Sequence, residues 1–412
     1  MNILFIHQNF PGQFVHLAPA LAALPGVRVA ALTLQKGRSG TWKGVRIIRY
    51  GLSRGTTRDI HPWVLDVESK VIRAEACFHA ALKLREAGFR PDVIIAHPGW
   101  GESLFIKEVW PTARLGIYCE FYYHARGADV GFDPEFPVRD PGEACRLKLK
   151  NVNNQMHFEI ADAGISPTHW QADTFPQPFR ASIEVIHDGI DTDRVSPDDS
   201  ARLRIGERLS LSRDEPVVTF VNRNMEPTRG YHIFMRALPA ILRDNPRARV
   251  ILVGGDGKGY GAMAPDGTSW KDLFVAEVRP AISDADWRRV HFVGKIPHDQ
   301  FVTLLQVSTV HVYLTYPFVL SWSLLEAMSA GCAIVGSDTA PLHEAIRPDE
   351  TGHLVNFFDP GAVAERVTAL LGDAAERHRL GRNAREFARA NYDLARVCLP
   401  RQLAWVKRLT NR

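Results

Sequence analysis

Val312-Tyr-Leu-Thr-Tyr-Pro-Phe-Val-Leu-Ser-Trp-Ser-Leu-Leu-Glu-Ala-Met-Ser-Ala-Gly-Cys-Ala-Ile-Val-Gly-Ser-Asp-Thr-Ala-Pro-Leu-His-Glu344 reads as a strand, a loop, a helix, a second strand and a new helix start. Leu324, Leu325, Met328 and Ala330 give the middle segment an apolar face at helical spacing. Gly331 stops it as a glycine does at a helix C-terminus. Cys332 to Val335 follows as a short apolar strand, and Ser337 or Asp338 can cap what comes next. The loop from Phe318 to Ser323 thus ends at a helix N-terminus, at the carboxyl end of a strand. Open α/β sheets bind ligands there, and the free backbone N–H groups favour phosphate. Pattern alone fits any βαβ unit of a large enzyme.

The rest of the chain extends this α/β pattern. At 412 residues it is long enough for two cores. Its 45% hydrophobic and 23% charged residues fit a globular protein, and a net charge of +4 leaves no nucleic-acid footprint. Cys77, Cys119, Cys145, Cys332 and Cys398 are scattered, without a Cys-x-x-Cys pair, and read as reduced thiols of a cytoplasmic protein. The start, Met1-Asn-Ile-Leu-Phe-Ile-His7, reads as a first strand rather than a signal peptide, and no apolar run reaches the roughly 18 residues of a membrane span.

In the first half, Ile3–His7 runs into a turn containing Gly12, a plausible phosphate or sugar contact. A strand Val27–Leu34, another at Val45–Tyr50 and a helix from Pro62 to Ala87 follow. Asp92–Ala96 ends in His97-Pro-Gly-Trp-Gly-Glu102, where His97 is placed to touch a ligand. Leu115–Cys119 ends in Glu120-Phe-Tyr-Tyr-His124. A long irregular excursion over Ala125–Arg139 suits acceptor binding. The helix beyond it, continuing through about Ala161, carries Arg146, Lys148 and Lys150. Its plain reading is a solvated face, with an anionic membrane or lipid-phosphate acceptor as the alternative.

The second half restarts with Val217–Val221 and a loop, Asn222-Arg-Asn-Met-Glu-Pro-Thr-Arg-Gly230, that opens a helix. Arg223 and Arg229 can grip a diphosphate, since guanidinium pairs with phosphate oxygens and the helix dipole adds to it. Val250–Val253 leads into Gly254-Gly-Asp-Gly-Lys-Gly-Tyr-Gly261, which fits no G-x-G-x-x-G register and reads as a loop over a nucleotide. No His-Glu-x-x-His, Cys/His cluster or Walker loop is present, and Asp191-Thr-Asp193 and Asp284-Ala-Asp286 read as chance.

Ser323-Leu-Leu-Glu-Ala-Met-Ser-Ala-Gly-Cys-Ala-Ile-Val-Gly-Ser337 resembles the donor-site segment of family-four retaining glycosyltransferases, the group 1 enzymes of the GT-B fold. The likeness covers nearly the whole chain, most specifically Phe220–Gly230 and Ser323–Ser337. It implies two doubly wound Rossmann-like domains facing across a cleft: an acceptor-side domain over 1–192, a linker over 193–214, a donor domain over 215–390 and a terminal helix over 391–412 crossing back to the first.

The resemblance also assigns roles. Glu326 corresponds to the second acid of a Glu-x7-Glu pair and holds a ribose diol, while Phe318 stands where the first acid belongs, eight residues earlier. Gly12, Gly255, Lys295, Ile296, Ser321 and Ser323 fall at donor-binding positions. Arg223, Arg229, His97 and Glu120 take the catalytic places; related enzymes have an arginine and then a lysine in the loop, one residue closer. Any of Glu120, Tyr123 and His124 can fill the place near the anomeric carbon.

The implied reaction is retaining transfer from a nucleotide sugar to a glycan, a lipid-linked or a small-molecule acceptor. It needs no metal or cofactor, and its setting is polysaccharide or glycoconjugate assembly in the cytoplasm, with room for peripheral membrane contact. A nucleotide-sugar epimerase or a catalytically silent GT-B partner subunit is the alternative.

Overall fold

The computed structural model describes residues 1–35, 37, 40–206, 209–265 and 267–410. The chain forms two compact units, Met1–Gly189 with Ala395–Arg412, and Ile190–Leu394. It therefore passes between them twice, at Gly189 and again at Leu394.

The first unit is built on β1 (Asn2–Ile6), β2 (Arg28–Thr33), β3 (Gly40–Trp42), β4 (Val45–Arg49), β5 (Val93–Ala96), β6 (Arg114–Tyr118), β7 (Ala163–Ser166) and β8 (Ile183–Val185), in the order 3-4-2-1-5-6-7-8. Every pairing is parallel except that of β3 with β4. The central β1 sets Ile3 opposite both Val29 and Val93. Its run Ile3–Ile6 is wholly buried, as a strand covered on both faces must be. The last helix, Leu399–Thr410, belongs to this unit. Trp405 lies over β6, where a Cβ on Gly116 would come within 2.5 Å of the indole, and Gln402 Nε2 donates to the His187 carbonyl at 2.9 Å.

The second unit holds β11 (Val217–Asn224), β12 (Arg249–Gly255), β13 (Val290–Gly294), β14 (Val310–Tyr313), β15 (Ala333–Ser337) and β16 (His353–Val355). Its order is 13-12-11-14-15-16, all parallel. The central strand is thus the one that carries the two-arginine loop. The stretch Val312–Glu344 forms the end of β14, a helix Trp322–Ser329, β15 and a short turn of helix at Ala340–Glu344.

Three expectations change. The first unit ends at Gly189 rather than 192, and the segment 193–214 is no linker. It carries an antiparallel hairpin, β9 (Arg202–Ile205) with β10 (Leu209–Ser212). Val195, Ala201, Leu203 and Leu211 are buried in the second unit's core beside Val217 and Leu304. Leu203 and Leu211 face each other in register, an alternation hidden among Asp, Arg and Ser. The basic helix is two helices, Glu143–Lys150 and Val152–Ile160, interrupted at Asn151. The Asn151 amide pairs with the Tyr123 backbone, accepting from its N–H at 3.0 Å and donating to its carbonyl at 2.8 Å. Lys150 departs from a solvated face: its ammonium sits 3.6 Å from the Tyr123 ring centroid, and burial lowers its pKa to about 8.

Candidate functional site

In the second unit, the chain leaves β11 into a single turn at Pro227–Arg229. Gly230 then starts the helix Tyr231–Asp244 with a φ of +67°. A Cβ on Gly230 would lie 2.3 Å from that of Leu314, so only glycine closes this turn against β14. The turn delivers Arg229 into the interior, 5% exposed. Its guanidinium donates to Thr315 Oγ1 at 2.9 Å and the Val319 carbonyl at 3.0 Å, with the Tyr313 hydroxyl at 3.4 Å. None of these is an acid. Among the described residues no carboxylate forms an ion pair with Arg229, Arg223 or Lys295. A buried guanidinium without an anion is costly by itself and marks a place for one.

Glu226, a carboxylate on which both arginines act electrostatically, is 2% exposed and committed elsewhere. Its Oε2 accepts the N–H groups of Tyr260 (2.7 Å) and Gly261 (3.1 Å). Burial pushes its pKa up, against the two backbone N–H groups and both arginines. The loop Gly254–Gly261 thereby lies against the two-arginine turn: a Cβ on Gly259 would sit 2.0 Å from Glu226 Oε2, and one on Gly261 2.4 Å from Thr228 Oγ1. Tyr260 rides on this loop. Its ring is 5.6 Å from the Arg229 guanidinium carbon and 5.2 Å from the Phe318 ring, and Arg223 reaches its hydroxyl at 3.4 Å. Phe318 is itself 4% exposed, with Arg229 at 5.4 Å from its centroid.

Beside this lies the helix Trp322–Ser329. Ser321 caps it, its hydroxyl accepting from the Ser323 N–H at 3.3 Å and lying 2.9 Å from the Ser323 hydroxyl, while its own N–H donates to Tyr313 Oη at 3.0 Å. Tyr313 thus ties the cap to Arg229. Glu326 projects from the second turn, and its Oε1 lies 2.6 Å from His298 Nε2. Gly255 ends β12, and a Cβ there would meet Lys295 Cε at 2.7 Å, so the Lys295 stem lies along that backbone. Ile296 turns its side chain onto the core.

The first unit gathers a separate cluster at the ends of β1, β5 and β6. His7 Nδ1 accepts the Asn9 N–H at 2.9 Å, so the ring proton sits on Nε2 and points at Gln13 Oε1, 2.8 Å away. The Gln13 amide in turn donates to Glu120 Oε1 at 3.0 Å. His97 Nδ1 accepts the Gly99 N–H at 3.1 Å. That turns Nε2 toward Glu120 Oε2 at 3.5 Å, buried and without a hydrogen-bond partner among the described residues. Trp100 and Tyr118 stack on the His97 ring at 4.6 and 5.4 Å. Burial lowers the His7 pKa to about 3 and keeps that ring neutral. Burial would raise Glu120, but His97, His7 and Gln13 outweigh it and hold the carboxylate below its ordinary range. Gly12 roofs the pair: at φ +48° it leaves room for His7, whose Nε2 a Cβ would approach to 2.3 Å.

The three residues left open near Tyr123 separate here. His124 is tied down, Nε2 to the Thr174 carbonyl at 2.7 Å, and the Tyr123 backbone is held by Asn151. Only Glu120 joins His97. Gln13, Tyr260, Glu226, Tyr313 and His298 belong to these clusters but carry no signal in sequence beyond their neighbourhood, because the contacts that recruit them come from remote strands. A groove of about 680 Å³ lies elsewhere in the first unit, between β4 and the helix Leu65–Glu86. It is lined by Arg46, Tyr50, Glu75, His79 and Lys83, among others, and shares no residue with either cluster.

Comparison with known proteins agrees with this architecture. Residues 25–195 match the family described as Glycosyl transferase family 4 group, and 204–387 match Glycosyl transferases group 1. The D-inositol 3-phosphate glycosyltransferase of Nocardia farcinica is 30% identical over 248 residues, 59% of this chain and 52% of the relative. That of Mycobacterium bovis is 29% identical over 315 residues, 73% of this chain and 56% of the relative. The matched region thus spans about half the length of these curated relatives. Among solved structures, sucrose-phosphate synthase from Thermosynechococcus elongatus superposes with a TM-score of 0.71 at 21% identity, covering 100% of both chains. Anabaena HepE in complex with UDP and glucose gives 0.67 at 16% identity, covering 99% of both. With the two family matches falling one on each parallel-sheet unit, the chain belongs to the group 1 glycosyltransferases of the GT-B fold.

Proposed function

We propose that the protein transfers a sugar from a nucleotide-sugar donor to an acceptor hydroxyl, with retention at the anomeric carbon and without a metal ion. The observation that carries this reading is Arg229: a buried guanidinium whose hydrogen bonds among the described residues all go to neutral oxygens, beside Arg223 at the carboxyl end of a central parallel strand. Such a pair is built to receive a diphosphate. HepE has been solved with UDP and with UDP-glucose, which supports a nucleotide sugar as the ligand.

In this reading the second unit holds the donor. Arg223, Arg229 and Lys295 take the charge that develops on the diphosphate as the glycosidic bond breaks, and Glu326 holds the ribose diol. The helix cap at Ser321 and Ser323 offers hydroxyls to the sugar end. The first unit supplies Glu120, kept ionised to accept a hydrogen bond from a sugar or acceptor hydroxyl, and the His97 N–H to donate one. No protein nucleophile is invoked: the leaving diphosphate takes the acceptor's proton on the face it departs from. Acceptors of the glycan, lipid-linked or small-molecule class fit, in polysaccharide or glycoconjugate assembly.

The experiment is a thermal-shift screen of UDP, GDP, ADP and their sugars, followed by transfer assays with EDTA. A bound nucleotide raises stability by mass action. Absence of any shift across the set sinks the nucleotide reading. Turnover abolished by EDTA and restored by magnesium or manganese sinks metal independence. Nucleotide binding with no transfer to any acceptor turns the case toward a silent partner subunit.

A further inference from the structure

We propose that His298 is the positioning residue for Glu326: by holding one oxygen of that carboxylate it aims the other at the ribose diol of the donor, and its charge sets how firmly. The inference rests on the ribose role of Glu326 given above. Two helices that follow successive strands along the chain, though not adjacent ones in the sheet, meet here: His298–Val307 beyond β13 and Trp322–Ser329 beyond β14. His298 is the first residue of its helix, directly after Pro297, so its ring projects from a fixed point rather than from a mobile loop.

The carboxylate is asymmetric. Oε1 is held by His298 Nε2 at 2.6 Å, at the short end for a charge-assisted bond, whereas Oε2 makes no hydrogen bond among the described residues. The serines of that helix and its cap are engaged elsewhere, Ser321 and Ser323 with each other and Ser329 with the Val195 carbonyl, which leaves Glu326 to His298. A diol needs an acceptor oxygen at a fixed place, and a glutamate has three rotors to freeze before it can offer one. His298 freezes them beforehand, which is preorganisation.

The charged groups facing His298 are Glu326 from the neighbouring helix, Asp299 from its own, and Arg194, which is paired with Asp299. The hydrogen bond to Glu326 raises the imidazole's pKa above its ordinary value, against partial burial and the Arg194 charge. The imidazolium therefore grips Glu326 at low pH and loosens as pH rises through that raised value. Neutral imidazole can still donate, but from either nitrogen and without the charge.

The test compares UDP with 2′-deoxy-UDP, or the GDP or ADP pair where that base binds, because their affinity ratio isolates the contact to the ribose. Wild type should prefer the ribonucleotide about tenfold or more at pH 6, declining severalfold toward pH 9. His298→Ala should cut the preference to about threefold or less at every pH. His298→Gln, a neutral donor, should restore an intermediate preference with a flat pH profile. Thermal unfolding checks that the variants are folded; if His298→Ala is not, the flat profile of His298→Gln decides. Both variants keeping the wild-type preference and its pH dependence overturns the His298 proposal and leaves the ribose reading intact. A wild type that binds the diphosphate but shows no ribose preference at any pH overturns the role of Glu326 itself.

Discussion

Arg229 and Phe318 show how single residues carry this site. Arg229 forms no ion pair among the described residues, so its removal subtracts binding to a ligand anion at the cost of its hydrogen bonds to Thr315, Val319 and Tyr313 and its through-space attraction to Glu226. Arg229→Ala should weaken nucleoside diphosphate binding by about 1.5–3 kcal/mol, roughly 10- to 150-fold, and Arg223→Ala should do so by the lower end of that range because it is exposed. Unchanged affinity in both variants, measured by calorimetry, removes the diphosphate assignment. Phe318 stands where a family acid is expected, yet its ring is buried against Arg229 and Tyr260. A carboxylate there would find the Arg229 guanidinium within reach and neutralise it. Phe318→Glu should therefore weaken binding of the bare diphosphate, not only shift preference among sugars. A variant that binds UDP, GDP and ADP as wild type does would show that position 318 acts on the sugar alone.

At the scale of elements, the second unit's site is a contact between two loops, the two-arginine turn and the glycine loop, with Glu226 as the link. The glycine loop fits no dinucleotide register because its glycines serve contact with Glu226 and Thr228 rather than with a pyrophosphate fingerprint. Gly259→Ala is the direct probe. Its Cβ would fall 2.0 Å from Glu226 Oε2, so either the carboxylate or the loop has to give way, and the hydrogen bonds to the Tyr260 and Gly261 N–H groups are strained in both cases. The expected result is faster proteolytic cleavage within 254–261 and a stability loss of about 1–3 kcal/mol, with β11 and β12 intact. Equal cleavage rates and equal stability in wild type and variant would mean that the loop does not depend on this packing.

For the molecule as a whole, much of the plan was legible because parallel strands buried on both faces are written as short apolar runs. Ile3–Ile6, Val93–Ala96, Val217–Val221 and Ala333–Val335 stand out in that way. The turn residues of the site were legible too, since Gly12 and Gly230 mark left-handed turns packed too closely for a Cβ. What escaped were partnerships set by distance in the chain. Gln13 meets Glu120 across 107 residues, Asn151 meets Tyr123 across 28, and Leu203 with Leu211 hides a hairpin inside polar sequence. The unit boundary escaped for the same reason. Ile190 and Leu394 are far apart in sequence, yet the Leu394 N–H donates to the Ile190 carbonyl and the Ile190 N–H to the Tyr392 carbonyl, each at 2.8 Å.

That closure leads to a prediction about the donor half. Residues 190–394 begin and end on one shared pair of hydrogen bonds, enclose their own core from Val195 to Tyr392, and contain every group assigned to the donor except Gly12. A segment with its own core and adjoining termini should fold alone. Expressed by itself, 190–394 should unfold cooperatively and bind the same nucleoside diphosphate as the full chain, within about threefold in affinity. It should transfer no sugar, because Glu120 and His97 are missing. If the segment is folded by circular dichroism but binds no nucleotide that the full chain binds, the diphosphate and ribose contacts assigned to the second unit are insufficient for binding.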